Sequence, residues 1–250
     1  MYWNGFYALH VYLPFSILAQ SLRRVSRRLR GKVVPFEQTG HLPKVGWDSF
    51  VKPQRVGLLE LRKENGNVRV SEVAVLAQLA AACPTNSMIF EIGTFDGRTT
   101  LNLSLNAPAG GRVHTLDLPQ DVAPAMELAP GEAHMVDKPA SGARIEPYRD
   151  KHSDLAGRIT QHYGDSASYD FSELEGTCSL FFVDGSHAYD YLCSDTKVAM
   201  KMMASGGVIV WHDYGIWEGV TRGLEEIEAR EKLGLRNIRG TSLVVWRKPS

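Results

Sequence analysis

Between residues 71 and 248 the apolar positions change period repeatedly, and the changes mark out alternating helices and strands. Short apolar runs of strand length lie at 88–92, 112–117, 158–163, 179–184 and 208–213. The run Leu180-Phe181-Phe182-Val183 is unbroken, as expected of a central parallel strand buried on both faces. Val73, Leu76, Leu79 and Ala80 keep helical spacing and predict a helix from Ser71, its expected cap, to about Ala82. Further helices are predicted over 99–106, 188–203 and 219–233, and strands at 235–239 and 242–247 close the pattern. Strands and helices in this alternation build an open, mostly parallel α/β sheet.

The region before residue 71 is patterned differently. Phe6 to Leu22 is apolar and aromatic but interrupted by His10, Pro14 and Gln20, too short and too broken for a transmembrane helix. No charge precedes it and no small-residue cleavage site follows, which argues against a secretory signal. From Phe15 onward, Leu18, Leu22, Val25 and Leu29 follow helical spacing with arginines between them. Two readings stay open for residues 6–32: peripheral contact with an anionic membrane, or packing on a partner subunit (a homo-oligomer) or on the chain's own domain. Residues 36–70 contain Pro43 and Pro53 and read as a linker with little regular structure. The expected organisation is therefore a basic amphipathic segment over 1–35, a linker over 36–70 and one domain over 71–250.

Composition sharpens this picture at two points. The 250 residues carry 28 basic and 28 acidic side chains, yet six of the basic ones, from Arg23 to Lys32, precede the first acid, Glu37. The rest of the chain is net −6, which argues against nucleic acid as a partner, since that needs a basic face on the domain. Cys83, Cys178 and Cys193 have no paired spacing and read as reduced cysteines of a cytoplasmic protein.

Candidate chemistry begins where the first strand of the domain ends. Glu91-Ile92-Gly93-Thr94-Phe95-Asp96-Gly97-Arg98-Thr99 reads as strand, tight glycine turn and helix start. The helix start supplies free N–H groups for an anionic group. A dinucleotide fingerprint fails at Phe95, and no Gly-Lys-Ser/Thr follows for a phosphate loop. Asp117 closes the next strand, where nucleoside-binding sheets place a carboxylate for the ribose hydroxyls; a solvated aspartate is the plain alternative. Gly164-Asp165-Ser166 follows the third strand. Residues 119–157 are longer than a connection requires and read as a lid or recognition loop carrying Arg144, Tyr148, Arg149, Lys151 and His152.

Asp184-Gly185-Ser186-His187 ends the fourth strand and His212-Asp213-Tyr214 the fifth, so both sets reach the carboxyl edge of the sheet. Together with Glu91 and the Gly93/Gly97 pair, these motifs resemble class I S-adenosylmethionine-dependent methyltransferases over residues 71–248. The nearest likeness is to bacterial small-molecule O-methyltransferases, with relatives of the catechol type and of antibiotic-sugar biosynthesis. The resemblance implies a Rossmann-like, seven-stranded, mostly parallel sheet with an antiparallel C-terminal strand and helices on both faces. It implies S-adenosyl-L-methionine as cofactor, held by Glu91, Gly93, Thr94, Phe95, Gly97, Arg98, Thr99, Asp117, Asp165, Ser166 and Asp184. Within that set Arg98 and Thr99 would take the carboxylate end and Asp165 the adenine edge.

The same resemblance implies a divalent metal, Mg²⁺ or Mn²⁺, on Asp184, His212 and Asp213, although His212 stands where oxygen ligands are usual and imidazole suits transition metals better. It also implies catalytic roles for Asp184 and for His187, the latter as a base of ordinary imidazole pKa, near 6.5. The expected reaction is O-methylation of a small hydroxylated acceptor such as a sugar, a lipid-linked or a natural-product intermediate. Two other readings stand beside it: an NAD(P) oxidoreductase, which lacks its glycine pattern here, and a silent cofactor-binding module. The protein is expected in the cytoplasm, with contact to the inner membrane face as a further expectation.

Overall fold

The eight-stranded sheet that positions the site follows directly from the apolar runs. The computed structural model describes residues 3–29, 40–62, 66–132 and 140–250. Its strands are β1 (Lys44–Val45), β2 (Met88–Ile92), β3 (Arg112–Asp117), β4 (Ile159–Tyr163), β5 (Cys178–Val183), β6 (Met203–Trp211), β7 (Arg236–Ile238) and β8 (Val244–Arg247). In space they run β1-β7-β8-β6-β5-β2-β3-β4. β2 pairs parallel with β3 and β5, and β5 with β6, so the glycine-turn strand lies at the middle of the sheet. β8 is antiparallel to both β6 and β7, the expected C-terminal reversal.

One expectation fails here. The sheet has eight strands rather than seven, because Lys44 and Val45 pair in parallel with Asn237 and Ile238. Residues 40–62 are thus not a bare linker: Trp47–Phe50 is a helical turn, and Gly57 and Leu58 pair with Asn4 and Trp3 in a small antiparallel ribbon. Prolines at 43 and 53 flank these short elements, which are two to four residues long and carry no period a sequence pattern can reveal.

Helices cover both faces. The described helices used below are α1 (Leu13–Leu29), α2 (Val70–Ala81), α3 (Arg98–Asn106), α4 (Tyr189–Met202) and α5 (Glu218–Glu231). One core layer joins α2 and α3 to Ile89, Leu180, Phe182 and Val210; the other joins α4 and α5 to Phe90, Phe181, Ile209 and Trp211. Phe181 and Phe182 therefore point to opposite faces, and both are fully buried. At about 25 cal/mol per Å² such double-sided burial dominates the stability of the central strands. Trp211 is fully buried and its indole N–H donates to Thr196 Oγ1 at 2.9 Å, so its polar edge is satisfied.

α2 starts one residue earlier than its apolar pattern suggests. Ser71 lies inside the helix, and the first-turn carboxylate of Glu72 accepts the Arg69 backbone N–H at 3.0 Å instead. The N-terminal segment enters through Gly5–Tyr7 and a π-helical stretch, Ala8–Tyr12, before α1. Ala8, Leu9 and Leu13 are buried and belong to the α2–α3 core layer. Arg30 and Lys32 lie outside the described residues, as does the 1–35/36–70 boundary. No helix among the described residues is long and apolar enough to cross a membrane. Cys83, Cys178 and Cys193 are unpaired.

Candidate active site

The glycine turn works by letting two strand ends close. Gly93 has φ +98°, and a Cβ there would overlap the carbonyl oxygen of Asp184. Only glycine allows the ends of β2 and β5 to lie this close, which opens a crevice beside them. Gly97, with φ +87°, caps α3, and Asp96 Oδ1 accepts the Arg98 N–H at 3.0 Å. The crevice, of about 110 Å³, is lined by Gly93, Phe95, Asp117, Asp165, Ser166 and Asp184 among others. Six of the eleven sequence-predicted cofactor residues thus meet at one place.

Four others serve the scaffold behind it, outside the lining. Glu91 is fully buried and accepts from Thr100 Oγ1 at 2.5 Å and Thr115 Oγ1 at 2.8 Å, tying β2 to α3 and β3. Burial pushes its carboxyl up to about 8, against the pull of those two hydroxyls, so at neutral pH it is largely protonated. Thr94 Oγ1 lies 2.7 Å from Thr115 Oγ1 and is buried with it. Arg98 corrects a specific expectation. Its guanidinium donates to the carbonyls of Glu60 and Val68 at 2.6 Å each and so clasps the 57–68 segment, away from any carboxylate ligand in the crevice. Thr99 is buried in the first turn of α3 and, like Arg98 and Gly97, is absent from the crevice lining.

Residues 119–132 run across the crevice as a strap. Asp165 Oδ2, the candidate adenine acceptor, receives the Ala125 N–H at 2.7 Å and the Tyr191 hydroxyl at 2.6 Å. Farther along, Arg144 pairs with Asp96 at 2.8 Å and Tyr148 donates to Glu60 at 2.7 Å. These loop residues brace the 57–68 segment instead of facing the crevice, and Arg149 pairs with Glu146 at the surface. Residues 133–139 lie outside the described set.

The ends of β5 and β6 hold a ladder of alternating acids and bases. Glu132 Oε1, from the strap, is 2.7 Å from His187 Nδ1, and His187 Nε2 is 2.7 Å from Asp213 Oδ2. Asp213 Oδ1 is 3.3 Å from His212 Nδ1, whose Nε2 lies 3.3 Å from Glu72 Oε2, and Glu72 Oε1 meets Arg69 at 2.5 Å. Glu72 also accepts the Ser242 N–H and hydroxyl at 2.7 and 2.9 Å. Asp184 stands beside the ladder, its Oδ1 2.8 Å from His212 Nδ1. The four carboxylates of the set, Glu132, Asp213, Glu72 and Asp184, outnumber its three bases, His187, His212 and Arg69, by one, and Asp184 lines the crevice.

His187 is consequently not the free base expected. Burial alone would lower its pKa, but the bonds to Asp213 and Glu132 outweigh that and lift it to about 9. Both ring nitrogens donate to carboxylates, so the ring is an imidazolium, stacked on Trp217 at 4.4 Å and 19°. His212 follows the same logic: burial opposes its charge, and Asp184, Asp213 and Glu72 together raise its pKa well above the ordinary value. Glu72 is held far below the usual carboxylate range, because His212 and Arg69 overcome the cost of burial.

One donor of Asp184, one of His212 and one of Asp213 lie within 4.8 Å of one another. Buried His212 Nδ1 sits close to both carboxylates yet has no hydrogen bond of acceptable geometry to either. Once the Nδ1 proton is given up, an imidazole nitrogen between two carboxylates suits a divalent cation of the Mn²⁺ type, with Glu72 on the opposite nitrogen to fix the ring. Next to this set opens a cleft of about 760 Å³ walled by Leu128, Pro130, Tyr189, Ile216 and Trp217. His187 lines both the cleft and the crevice. Glu72 and Glu132 complete the site although no sequence pattern announced them; Glu72 is the third residue of the observed α2, a position that a predicted start at Ser71 conceals.

Comparison with known proteins identifies the family and the fold. A family model described as a methyltransferase domain matches residues 90–214, half of the chain. A search of curated protein sequences finds no match. Among solved structures, the O-methyltransferase TomG from Streptomyces achromogenes, in complex with SAM, is 17% identical, covers 76% of this chain and 92% of its own, and has a TM-score of 0.50. An O-methyltransferase from Bacillus cereus, in complex with SAH, is 19% identical, with 75% and 84% covered and a TM-score of 0.50. The Podospora anserina methyltransferase PaMTH1, SAH-bound, is 15% identical, with 74% and 81% covered and a TM-score of 0.53. At these identities the structures share the fold. The chain belongs to the class I S-adenosylmethionine-dependent methyltransferases.

Proposed function

We propose that the protein methylates an oxygen of a small hydroxylated acceptor, with a divalent cation on Asp184, His212 and Asp213 assisting. The observation that carries this reading is the surplus carboxylate. Asp184 lines the crevice and shares His212 Nδ1 with Asp213, so the two carboxylates there have one imidazole between them, and a further positive charge is what such a position stabilises. The O-methyltransferases with the same fold, TomG and the Bacillus cereus enzyme, support oxygen as the acceptor atom.

Bound S-adenosylmethionine would supply an electrophilic methyl, and a bound cation would acidify the acceptor hydroxyl. The chain's residues do the rest by placement. The Gly93 turn brings backbone to the crevice wall, Asp117 takes ribose hydroxyls, and Asp165 with Ser166 borders the adenine end. Asp184 stands to receive the acceptor proton. His187, pinned by Glu132 and Asp213, forms the wall common to crevice and cleft and fixes the position of Asp213. Trp217, Ile216 and Leu128 exclude water and hold an apolar acceptor body.

Calorimetry with S-adenosylhomocysteine and with NADH tests the cofactor; binding of NADH alone would overturn the reading. Mass spectrometry of small hydroxylated metabolites incubated with the enzyme and S-adenosylmethionine, with and without a chelator, tests acceptor and metal. Methylation unaffected by chelation removes the cation from the proposal.

A further inference from the structure

α1, together with the π-helical stretch Ala8–Tyr12 that leads into it, carries a surface that methyl transfer does not use. Its inner side is anchored: Leu9 and Leu13 are buried, and Leu13 and Ile17 sit over Gly240. Its outer side is an apolar stripe in water, with Val11 45%, Phe15 69%, Leu18 57%, Leu22 61% and Val25 55% exposed. The spacing of four, three, four and three residues keeps all five on one face, over roughly 21 Å of helix at about 1.5 Å per residue. Ten large hydrophobic side chains are exposed among the described residues, and seven of them belong to residues 7–25, so the exposure is one patch and not scatter.

Charge selects what covers the patch. Arg23 and Arg24 fall between the last two stripe residues and Arg27, Arg28, Arg30 and Lys32 follow them in sequence, and no Asp or Glu occurs before Glu37. A second copy of the helix would bring six more cations against these six. An anionic lipid surface instead offers negative headgroups to the cations and acyl chains to the stripe. Gly240 lies in the turn between β7 and β8, at the same carboxyl edge of the sheet as His212 and Asp213, since β8 begins opposite Trp211.

We infer that α1 docks the protein on an anionic membrane surface through its outer apolar stripe, bringing the crevice edge of the sheet to the lipid. The inference stands whatever the acceptor of the methyl group is.

The full-length protein is sedimented with phosphatidylcholine vesicles containing or lacking phosphatidylglycerol. Binding is expected only with phosphatidylglycerol, and is expected to vanish at 1 M salt, where the screening length is about 3 Å. The double variant Leu18→Asp/Leu22→Asp is expected to bind those vesicles at least about tenfold more weakly, given the transfer energy of two leucines. S-adenosylhomocysteine binding by the same variant is expected to stay unchanged, showing an intact domain. Equal binding to both vesicle types, or none, overturns the inference. So does light scattering that shows a dimer which the double variant dissociates while lipid binding is absent, because the stripe then faces a second copy.

Discussion

Glu91 and Glu72 are both fully buried, and they end in opposite charge states. Glu91, on the cofactor half of the site, meets only the hydroxyls of Thr100 and Thr115, and burial keeps it largely protonated at neutral pH. Glu72, on the β6 half, meets His212 and Arg69 and remains anionic. Burial alone therefore does not decide ionisation; the presence of a matched cation does. The difference divides the site into two working halves. Behind the crevice lies a buried acid kept neutral by hydroxyl partners; at the end of β6 lies fixed charge held in matched pairs.

The largest effect should come from breaking the charged half. Glu72→Ala leaves Arg69 and His212 without their shared anion, and a loss of about 3–5 kcal/mol is expected in urea unfolding. A loss below about 1 kcal/mol would mean that the ladder is not electrostatically coupled. On the neutral half, the folded protein keeps a proton on Glu91 that the unfolded chain gives up above its ordinary value of 4.5. Stability should accordingly fall as pH rises from 4.5 towards 8, by up to about 1.4 kcal/mol per pH unit from this group. Glu91→Gln should flatten the difference between melts at pH 5 and 7.5, and an unchanged slope would assign the trend elsewhere.

Asp213→Asn should weaken Mn²⁺ binding, followed by paramagnetic resonance, about 10–100-fold or more, and lower methyl transfer with it. The smallest effect is expected at Tyr191→Phe, which removes one bond to Asp165 and should cost about 0.5–1.5 kcal/mol.

Where regular period governed, the sequence was readable. β2, β3, β4 and β5, the glycine turn, α4 and α5 lie within a residue or two of their patterns, because long amphipathic or doubly buried elements leave a repeated signal. β6 begins earlier than its apolar run, at Met203, since Ser205-Gly206-Gly207 is taken into the strand where the β5 register shifts. The convergence of Asp184, His212 and Asp213 was legible for a topological reason: ends of adjacent parallel strands share one edge. What could not be read were partners brought from afar. Glu132 is 55 residues from His187 and, with Asp213, turns an expected free imidazole into a fixed cation, while Glu72 is 140 residues from the His212 ring it holds. Arg98 was misplaced for the same reason, since the carbonyls it serves, those of Glu60 and Val68, are 38 and 30 residues away.

The strap over Asp165 has a kinetic meaning. By donating the Ala125 N–H to that carboxylate, the chain acts as its own competitor for the position a nucleobase would read. A ligand that needs Asp165 binds only the fraction of molecules in which the strap has lifted, so its apparent affinity is the intrinsic one multiplied by that fraction. Each additional 1.4 kcal/mol holding the strap down weakens binding about tenfold. For a ligand that reads Asp165, occupancy would depend on the strap as well as on the ligand's own contacts.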